Sequence, residues 1–99
     1  MDFSYKDGSR TYRLTVELIY QDKDVERYKV YARKNASKYI TLQNNRPFLK
    51  SKNLKHKRFN WKVLEGEVTN RSALDKVIEI LEFWIGPPSG SWFITGATN

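Results

Sequence analysis

The sequence predicts an α+β domain of two layers, in which a four-stranded antiparallel β-sheet is covered on one face by a C-terminal α-helix. Two observations predict this fold. Apolar residues recur with period two in several segments between residues 11 and 68, which is typical of half-buried strands. They recur with helical spacing in residues 72–85. One helix covers only one face of such a sheet, so the other face is left to solvent or to a partner.

Three strands are predicted to form an antiparallel meander after a flexible lead-in over residues 1–10, which are polar and show no period. Alternation predicts strands at residues 11–20, 26–33 and 38–43, separated by polar turns. The side chains expected to face the core are Tyr12, Leu14, Val16, Leu18, Tyr20, Tyr28, Val30, Ala32, Ile40 and Leu42.

A long connection, residues 44–58, leads to the fourth predicted strand at residues 59–68. The connection is expected to hold a short helical turn, pinned to the core by Phe48, Leu49 and Leu54. Alternation places Phe59, Trp61 and Val63 inward. Glu65 would then also point inward, which is costly for a charge, so a bulge near Gly66 is expected to correct the register.

The helix is predicted from Ser72, a good N-cap with Asp75 three residues on, to a stop at Gly86 and the two prolines that follow. Its apolar stripe consists of Leu74, Val77, Ile78, Leu81 and Ile85. Trp61 and Leu81 are both expected in the core. A single domain is therefore expected over residues 11–86, followed by a tail rich in proline, glycine and serine at residues 87–99.

The distribution of charge is the least usual feature of the chain. The net charge is +7, yet residues 27–64 carry twelve basic side chains and no acidic one, while the flanking segments are acidic overall. A field of this sign attracts polyanions such as nucleic acid or acidic lipid. A solubilising surface would have the same composition, so that alternative stays open.

Composition argues against catalysis and cofactor chemistry. The chain has no cysteine and one histidine, His56, which lies among lysines and arginines without a nearby carboxylate. No nucleophile–histidine pair, metal-ligand cluster or phosphate-binding glycine loop can be assembled. We therefore expect no enzyme activity, no metal and no cofactor. The lack of cysteine, of a signal-peptide pattern and of a transmembrane segment favours the cytoplasm.

The uncovered face of the predicted sheet interleaves cations with tyrosines, and the long connection adds more cations. Cations neutralise phosphates, and exposed aromatic rings offer stacking platforms for unpaired bases. We therefore predict a small, non-catalytic module that binds single-stranded or structured DNA or RNA. The predicted binding residues are Arg13, Arg27, Lys29, Tyr31, Arg33, Tyr39, Arg46, Lys50, Lys52, Lys55, Lys57, Arg58 and Lys62. Solvent-facing strands use the same residue types, so a merely solvated face is the alternative.

The predicted order of four strands and a helix resembles the PUR-type nucleic-acid-binding repeat. Residues 34–42 look like the turn-and-strand segment of that repeat, and residues 85–87 look like its helix exit. The chain departs from the family pattern at Ser37, where the family usually has glycine, and in its long basic connection. The resemblance implies a curved antiparallel sheet and nucleic-acid binding.

The rival hypothesis is a protein-interaction or homo-oligomerisation module. Four aromatic side chains lie near the end of the helix and in the tail, which is more than one helix can bury: Phe83, Trp84, Trp92 and Phe93. Exposed aromatic area of this kind is typical of interfaces, including those of homodimers.

Overall fold

Five antiparallel strands form one sheet in chain order, and a C-terminal helix packs on one of its faces. The computed structural model describes residues 1–54 and 57–85. The predicted two-layer α+β class is confirmed, with five strands instead of four. The elements are β1 (Asp2–Asp7), β2 (Arg10–Gln21), β3 (Glu26–Ala32), β4 (Asn35–Asn44), α1 (Arg46–Ser51), β5 (Lys62–Glu65) and α2 (Arg71–Ile85).

The additional strand lies where a flexible lead-in was predicted. Residues 2–7 form β1 and pair antiparallel with residues 10–15 of β2. Phe3 is buried in the core, and the ring of Tyr5 stacks on that of Tyr12 with centroids 5.1 Å apart. The prediction was wrong because only two apolar residues alternate in this short segment. Gly8, at a φ of 65°, supplies the left-handed turn that closes the hairpin.

The core lies between the sheet and α2, largely as the alternation predicted. Its buried residues are Phe3, Val16, Tyr28, Val30, Leu42, Leu74, Val77 and Leu81. Leu14 and Ile40 are half-buried, whereas Leu18, Ala32 and Val63 are exposed although they were predicted to face inward. Leu18 and Val63 flank the buried pair of Tyr28 and Leu42 at the two sides of the sheet, and Ala32 is the last residue of β3. A single helix covers these positions less than the centre of the sheet.

The connection after β4 contains α1, as predicted, and is fastened to the sheet by polar side chains as well as by Leu49. Leu49 is buried, Leu54 is half-buried, and Phe48 is exposed. The Oδ1 atom of Asn44 accepts the backbone N–H of Arg46 at 2.8 Å, and that of Asn45 accepts the N–H of Asn60 at 2.8 Å. The two asparagines therefore fix both ends of the connection.

The helix α2 begins two residues earlier than the predicted N-cap implies. Asn70 caps it, because its Oδ1 atom accepts the N–H of Ala73 at 3.1 Å, so Ser72 is not the N-cap. Trp61 was predicted as a core residue and is half-buried at the edge of the core. Its Nε1–H donates to the Glu82 carboxylate at 2.8 Å, which ties the approach to β5 to the C-terminal half of α2. Gly86 and the tail at residues 87–99 lie outside the described residues.

We expect Leu81→Ala to lower the free energy of unfolding by about 2–5 kcal/mol, because Leu81 is 0% exposed and its removal leaves a cavity. Leu64→Ala is the matched control, since Leu64 is 47% exposed, and it should change stability by about 0.5 kcal/mol or less. Urea denaturation followed by circular dichroism measures both. Equal decreases in stability for the two variants would contradict this packing.

Candidate nucleic-acid interface

Two irregularities in strand pairing decide which side chains reach the face of the sheet opposite α2, here called the open face. In β2 the pairing skips Ile19, so Tyr20 pairs with Arg27 and joins the open face instead of the core. In β5 the pairing skips Leu64, so Glu65 pairs with Thr41 on the same face. A register shift therefore turns Glu65 away from the core, as predicted, but it occurs at Leu64 and not near Gly66.

Gly66 marks the point where the chain leaves the sheet. Its φ is 92°, and a Cβ atom there would overlap the carbonyl oxygen of Tyr39. Only glycine fits such a close approach to β4 in this conformation. The backbone turn after Glu65 is thus fixed, and with it the end of β5.

Cross-strand pairing arranges the open face in three parallel rows. The arginine row consists of Tyr20, Arg27, Gln43 and Lys62. The lysine row consists of Glu17, Lys29, Thr41 and Glu65. The tyrosine row consists of Asp2, Thr15, Tyr31 and Tyr39. Neighbouring rows are two residues apart along a strand, which corresponds to about 6.6 Å.

Arg27 is held at the centre of the arginine row by two uncharged groups. Its Cζ atom lies 4.6 Å from the centroid of the Tyr20 ring, and its Nε–H donates to Oε1 of Gln43 at 2.8 Å. A guanidinium placed over an aromatic ring is attracted by the ring quadrupole without losing its charge. Arg27 is therefore oriented in advance and remains a full cation.

The Tyr20 ring beneath Arg27 is itself fixed by the turn between β2 and β3. Its hydroxyl donates to Oδ2 of Asp22 at 2.7 Å, and this bond is the main reason that the pKa of Tyr20 is raised. The other carboxylate oxygen of Asp22 accepts the backbone N–H groups of Asp24 and Val25. These bonds lower the pKa of Asp22 and keep it ionised.

The lysine and tyrosine rows are packed together through Lys29. Its Nζ atom lies 4.6 Å from the ring centroid of Tyr39 and 5.4 Å from that of Tyr31. The pKa of Tyr31 is raised, first by desolvation and then by the charge of Glu17. The tyrosine rings are thus present on the open face, as predicted, with an ammonium group of the same chain over them.

Carboxylates on and beside this face are held by hydroxyl groups, and Asp22 also by backbone N–H groups, without forming an ion pair with a cation of the rows. Thr15 donates to Asp2 at 2.7 Å, Tyr20 donates to Asp22, and Thr41 donates to Glu65 at 3.0 Å. Within residues 1–54 and 57–85 there are three ion pairs, Arg46–Glu26, Arg71–Asp75 and Lys76–Glu79. None of them includes a cation of the three rows, so those cations keep their charge available.

Charge is graded across the open face. The arginine row contains two cations and no acid, the lysine row one cation and two acids, and the tyrosine row one acid. From the sequence, we expected this face to interleave cations with tyrosines, and residues 27–64 contain no acid. Asp2 and Glu65 come from outside that segment and are brought in by β1 and β5. The basic part of the open face is therefore confined to the arginine row and the neighbouring connection between β4 and β5.

The connection between β4 and β5 supplies the cations beside the arginine row. Gln43 lies next to the last residue of β4 and Lys62 is the first residue of β5, so the connection lies at this end of the sheet. Its exposed cations in the described part of the chain are Lys50, Lys52, Lys57 and Arg58. Lys55, also predicted to bind, lies outside the described residues, as does His56.

Three predicted binding residues lie apart from this cluster. Arg13 follows the tyrosine row at the far end of the open face, paired with Ser4. The Arg33 guanidinium donates to the carbonyl oxygen of Phe3 at 2.9 Å and so holds β1 at its place. Arg46 is ion-paired with Glu26 at 3.1 Å. Arg33 and Arg46 therefore have structural partners that could not be identified from the sequence.

The partner of Arg46 is a buried carboxylate. Glu26 is 2% exposed, and it also accepts the Tyr28 hydroxyl at 2.5 Å. Desolvation, and after it the bond to Glu26, raise the pKa of Tyr28 well above its usual value. The sequence gives no sign of this network because Glu26 lies twenty residues from Arg46, at the start of a strand where an acid is normally solvated. The pair fastens α1 to the sheet.

The part of the chain that the structure describes contains no group of three or more histidine, cysteine or acidic residues that could hold a metal ion. Nor is any of its helices long and apolar enough to cross a membrane.

Comparison of the chain with protein-family models, with curated proteins and with solved structures finds no match. The resemblance to the PUR-type repeat therefore has no support from these comparisons. The functional interpretation depends on the geometry of the open face and its neighbouring loop.

We expect Arg46→Met to act on stability. Removing one partner of a buried ion pair leaves an uncompensated carboxylate, which costs about 3–5 kcal/mol of unfolding free energy. Adding Glu26→Gln to that variant should restore a large part of this free energy, because the buried charge is then gone and the amide can still accept from Tyr28. Thermal and urea unfolding of both variants measure this. A decrease below about 0.5 kcal/mol for Arg46→Met, the range of an ordinary surface substitution, would show that the pair is not structural.

Proposed function

We propose that the protein binds nucleic acid, without catalysing a reaction, through the arginine row and the adjoining loop cations. The orientation of Arg27 carries the proposal. Its guanidinium is held over Tyr20 and against Gln43, so little side-chain entropy remains to be lost when it meets a phosphate. Arginine recognises phosphate with a planar fork of donors, for which a fixed orientation is an advantage.

The arrangement of charges supports binding at this end of the sheet. Lys62 lies in the same row as Arg27, and the exposed Lys50, Lys52, Lys57 and Arg58 belong to the connection at the same end. A run of cations without paired acids releases counterions when it meets a polyanion, and this release supplies most of the affinity. The protein would then bind mainly the sugar–phosphate backbone, with little dependence on base sequence.

The tyrosine row supports a preference for single strands. Tyr31 and Tyr39 lie side by side on the open face, and unpaired bases can stack on such rings. Along β3, Tyr31 lies four residues from Arg27, which corresponds to about 13 Å. A single strand that contacts the arginine row through its phosphates can extend to these rings once Lys29 moves from the faces of both tyrosines. We propose the cytoplasm as the location of this module.

A protein-interaction role is the second candidate, and one observation favours it. Trp84 is 59% exposed at the C-terminal end of α2, where a large aromatic side chain contributes nothing to the core. Such a residue is typical of an interface with a second copy or another protein. Trp92 and Phe93, the other residues on which this hypothesis depended, lie outside the described residues.

Replacing Arg27 and Lys62 together with alanine should weaken binding to all oligonucleotides alike. It should also flatten the dependence of log affinity on log salt by about 0.7–0.9 for each phosphate that the variant no longer neutralises. The matched control replaces Arg71 and Lys76 with alanine, which removes the same charge from α2 on the other side of the sheet. Fluorescence anisotropy over a salt series measures both. Equal effects of the two double variants would place the interface elsewhere, and no binding by the wild type at low salt would favour the protein-interaction role.

Tyr39→Ala should weaken binding to single strands by about 1–3 kcal/mol and affect duplexes less, because it removes a stacking platform. Tyr39→Phe keeps the ring and should bind like the wild type. Competition between labelled single strands and unlabelled duplex measures the difference. If Tyr39→Ala leaves the affinity for single strands unchanged while the double replacement of Arg27 and Lys62 lowers it, the interface is restricted to the arginine row and the loop.

A further inference from the structure

Glu65 is out of place on a surface that only binds phosphates. It lies in the lysine row, one row from the two cations of the arginine row, and three residues from Lys62 on the same strand. An exposed carboxylate at this position repels a phosphate that approaches Arg27 or Lys62. The pairing irregularity at Leu64 nevertheless turns this side chain to the open face.

The carboxylate of Glu65 is also oriented. Thr41 is 4% exposed, and its hydroxyl donates to Oε1 of Glu65 at 3.0 Å. This bond uses one of about four lone-pair positions of the carboxylate and limits its rotation. An ionised carboxylate can only accept hydrogen bonds, so a ligand group that meets Glu65 must be a donor.

We propose that Glu65 accepts a hydrogen bond from the exocyclic amino group of a base whose phosphate is held by the arginine row. The proposal rests on the nucleic-acid function proposed above and adds a base preference to it. The backbones of the two rows are about 6.6 Å apart, and the long side chains of Arg27, Lys62 and Glu65 extend this span, so one nucleotide can contact both rows. Cytosine, adenine and guanine carry an exocyclic amino group, and a carboxylate accepts from the cytosine amino group in known recognition chemistry. Thymine and uracil have a carbonyl oxygen at the equivalent position, which a carboxylate repels.

The other two carboxylates of the rows are less suited to this role. Asp2 accepts the Thr15 hydroxyl in the tyrosine row, two rows from Arg27. Glu17 lies in the lysine row on β2 and interacts with the Tyr31 hydroxyl, and after desolvation its charge is the next cause of the raised pKa of that tyrosine. Glu65 is therefore the carboxylate through which the open face would distinguish bases, and Thr41 is its positioning residue.

The test compares labelled oligocytidylate with oligothymidylate of equal length at neutral pH and low salt. We expect the wild type to bind the cytosine strand about fivefold or more tightly, which corresponds to about 1 kcal/mol or more of discrimination. Glu65→Gln should tighten binding to both strands, because a negative charge is removed, and should bring the two affinities close together. Its amide can donate to the thymine carbonyl.

Two further variants separate base recognition from charge and from folding. Glu67→Gln removes the same charge from an exposed residue beyond the end of β5. It should raise the affinity for both oligonucleotides and leave the ratio of the cytosine to the thymine affinity unchanged. Thr41→Val should lower the ratio of the cytosine to the thymine affinity without changing the charge. Thr41→Ser keeps the hydroxyl and should keep the ratio of the wild type. Equal unfolding temperatures of the threonine variants show that orientation and not folding is responsible.

The outcomes distinguish this inference from the function on which it rests. Equal binding of both strands by the wild type, or an unchanged ratio in Glu65→Gln, overturns base recognition by Glu65 and leaves phosphate binding standing if affinity still falls with salt. Failure of the wild type to bind either strand at low salt overturns both.

Discussion

One helix, α2, covers a five-stranded sheet, and most features of this molecule follow from that constraint. Because α2 covers a single face, the buried apolar residues of β1 to β4 converge on Leu74, Val77 and Leu81, and Trp61, just before β5, packs against the same core. The opposite face has to remain soluble and still hold its strands in register. It does so through cross-strand contacts between polar side chains, such as Arg27 with Gln43 and Thr41 with Glu65.

The same contacts decide what the open face can bind. Hydroxyl groups hold the carboxylates Asp2, Asp22 and Glu65, and backbone N–H groups also hold Asp22, so none of the three forms an ion pair with a cation of the rows. Arg27 is oriented by a ring and an amide at the end of the sheet where the basic connection lies. An electrostatic gradient results, which is positive at the arginine row and falls toward the tyrosine row. A polyanion would meet the cations first and the rings afterwards.

The strongly periodic parts of the fold could be predicted from sequence. The strands β2, β3 and β4 and the apolar stripe of α2 follow from alternation and helical spacing, because burial imposes these periods directly. β1 could not be predicted with the same rules, since Phe3 and Tyr5 alone do not form a pattern. The pairing irregularity at Ile19 leaves no trace in the sequence, whereas the inward parity of Glu65 indicated the one at Leu64 but not its position. Each irregularity moves the next residue to the other face of the sheet.

The candidate site was predictable by residue type and not by partner. Arg27, Lys29, Tyr31, Tyr39 and Lys62 lie on the open face as alternation implied. Arg46 was predicted to bind nucleic acid because its ion-pair partner, Glu26, lies far from it in sequence and could not be identified. The acids Asp2 and Glu65, which β1 and β5 bring to the open face, were missed for the same reason. Pairing between residues far apart in sequence determines both the partner of Arg46 and the acids on the open face. Counting charges segment by segment does not reveal this pairing.

The most direct test of the open face as the interface is a titration of isotope-labelled protein with a single-stranded oligonucleotide at low salt, followed by nuclear magnetic resonance. We expect the largest shifts at the Nε–H of Arg27, at the side-chain amide of Gln43 and at the backbone amides of Lys57 and Arg58. Residues of α2 that face away from the sheet, such as Lys76 and Glu79, should not shift. Shifts concentrated around Trp84, or an absence of shifts at every ratio of ligand to protein, would contradict the assignment of the interface to the open face.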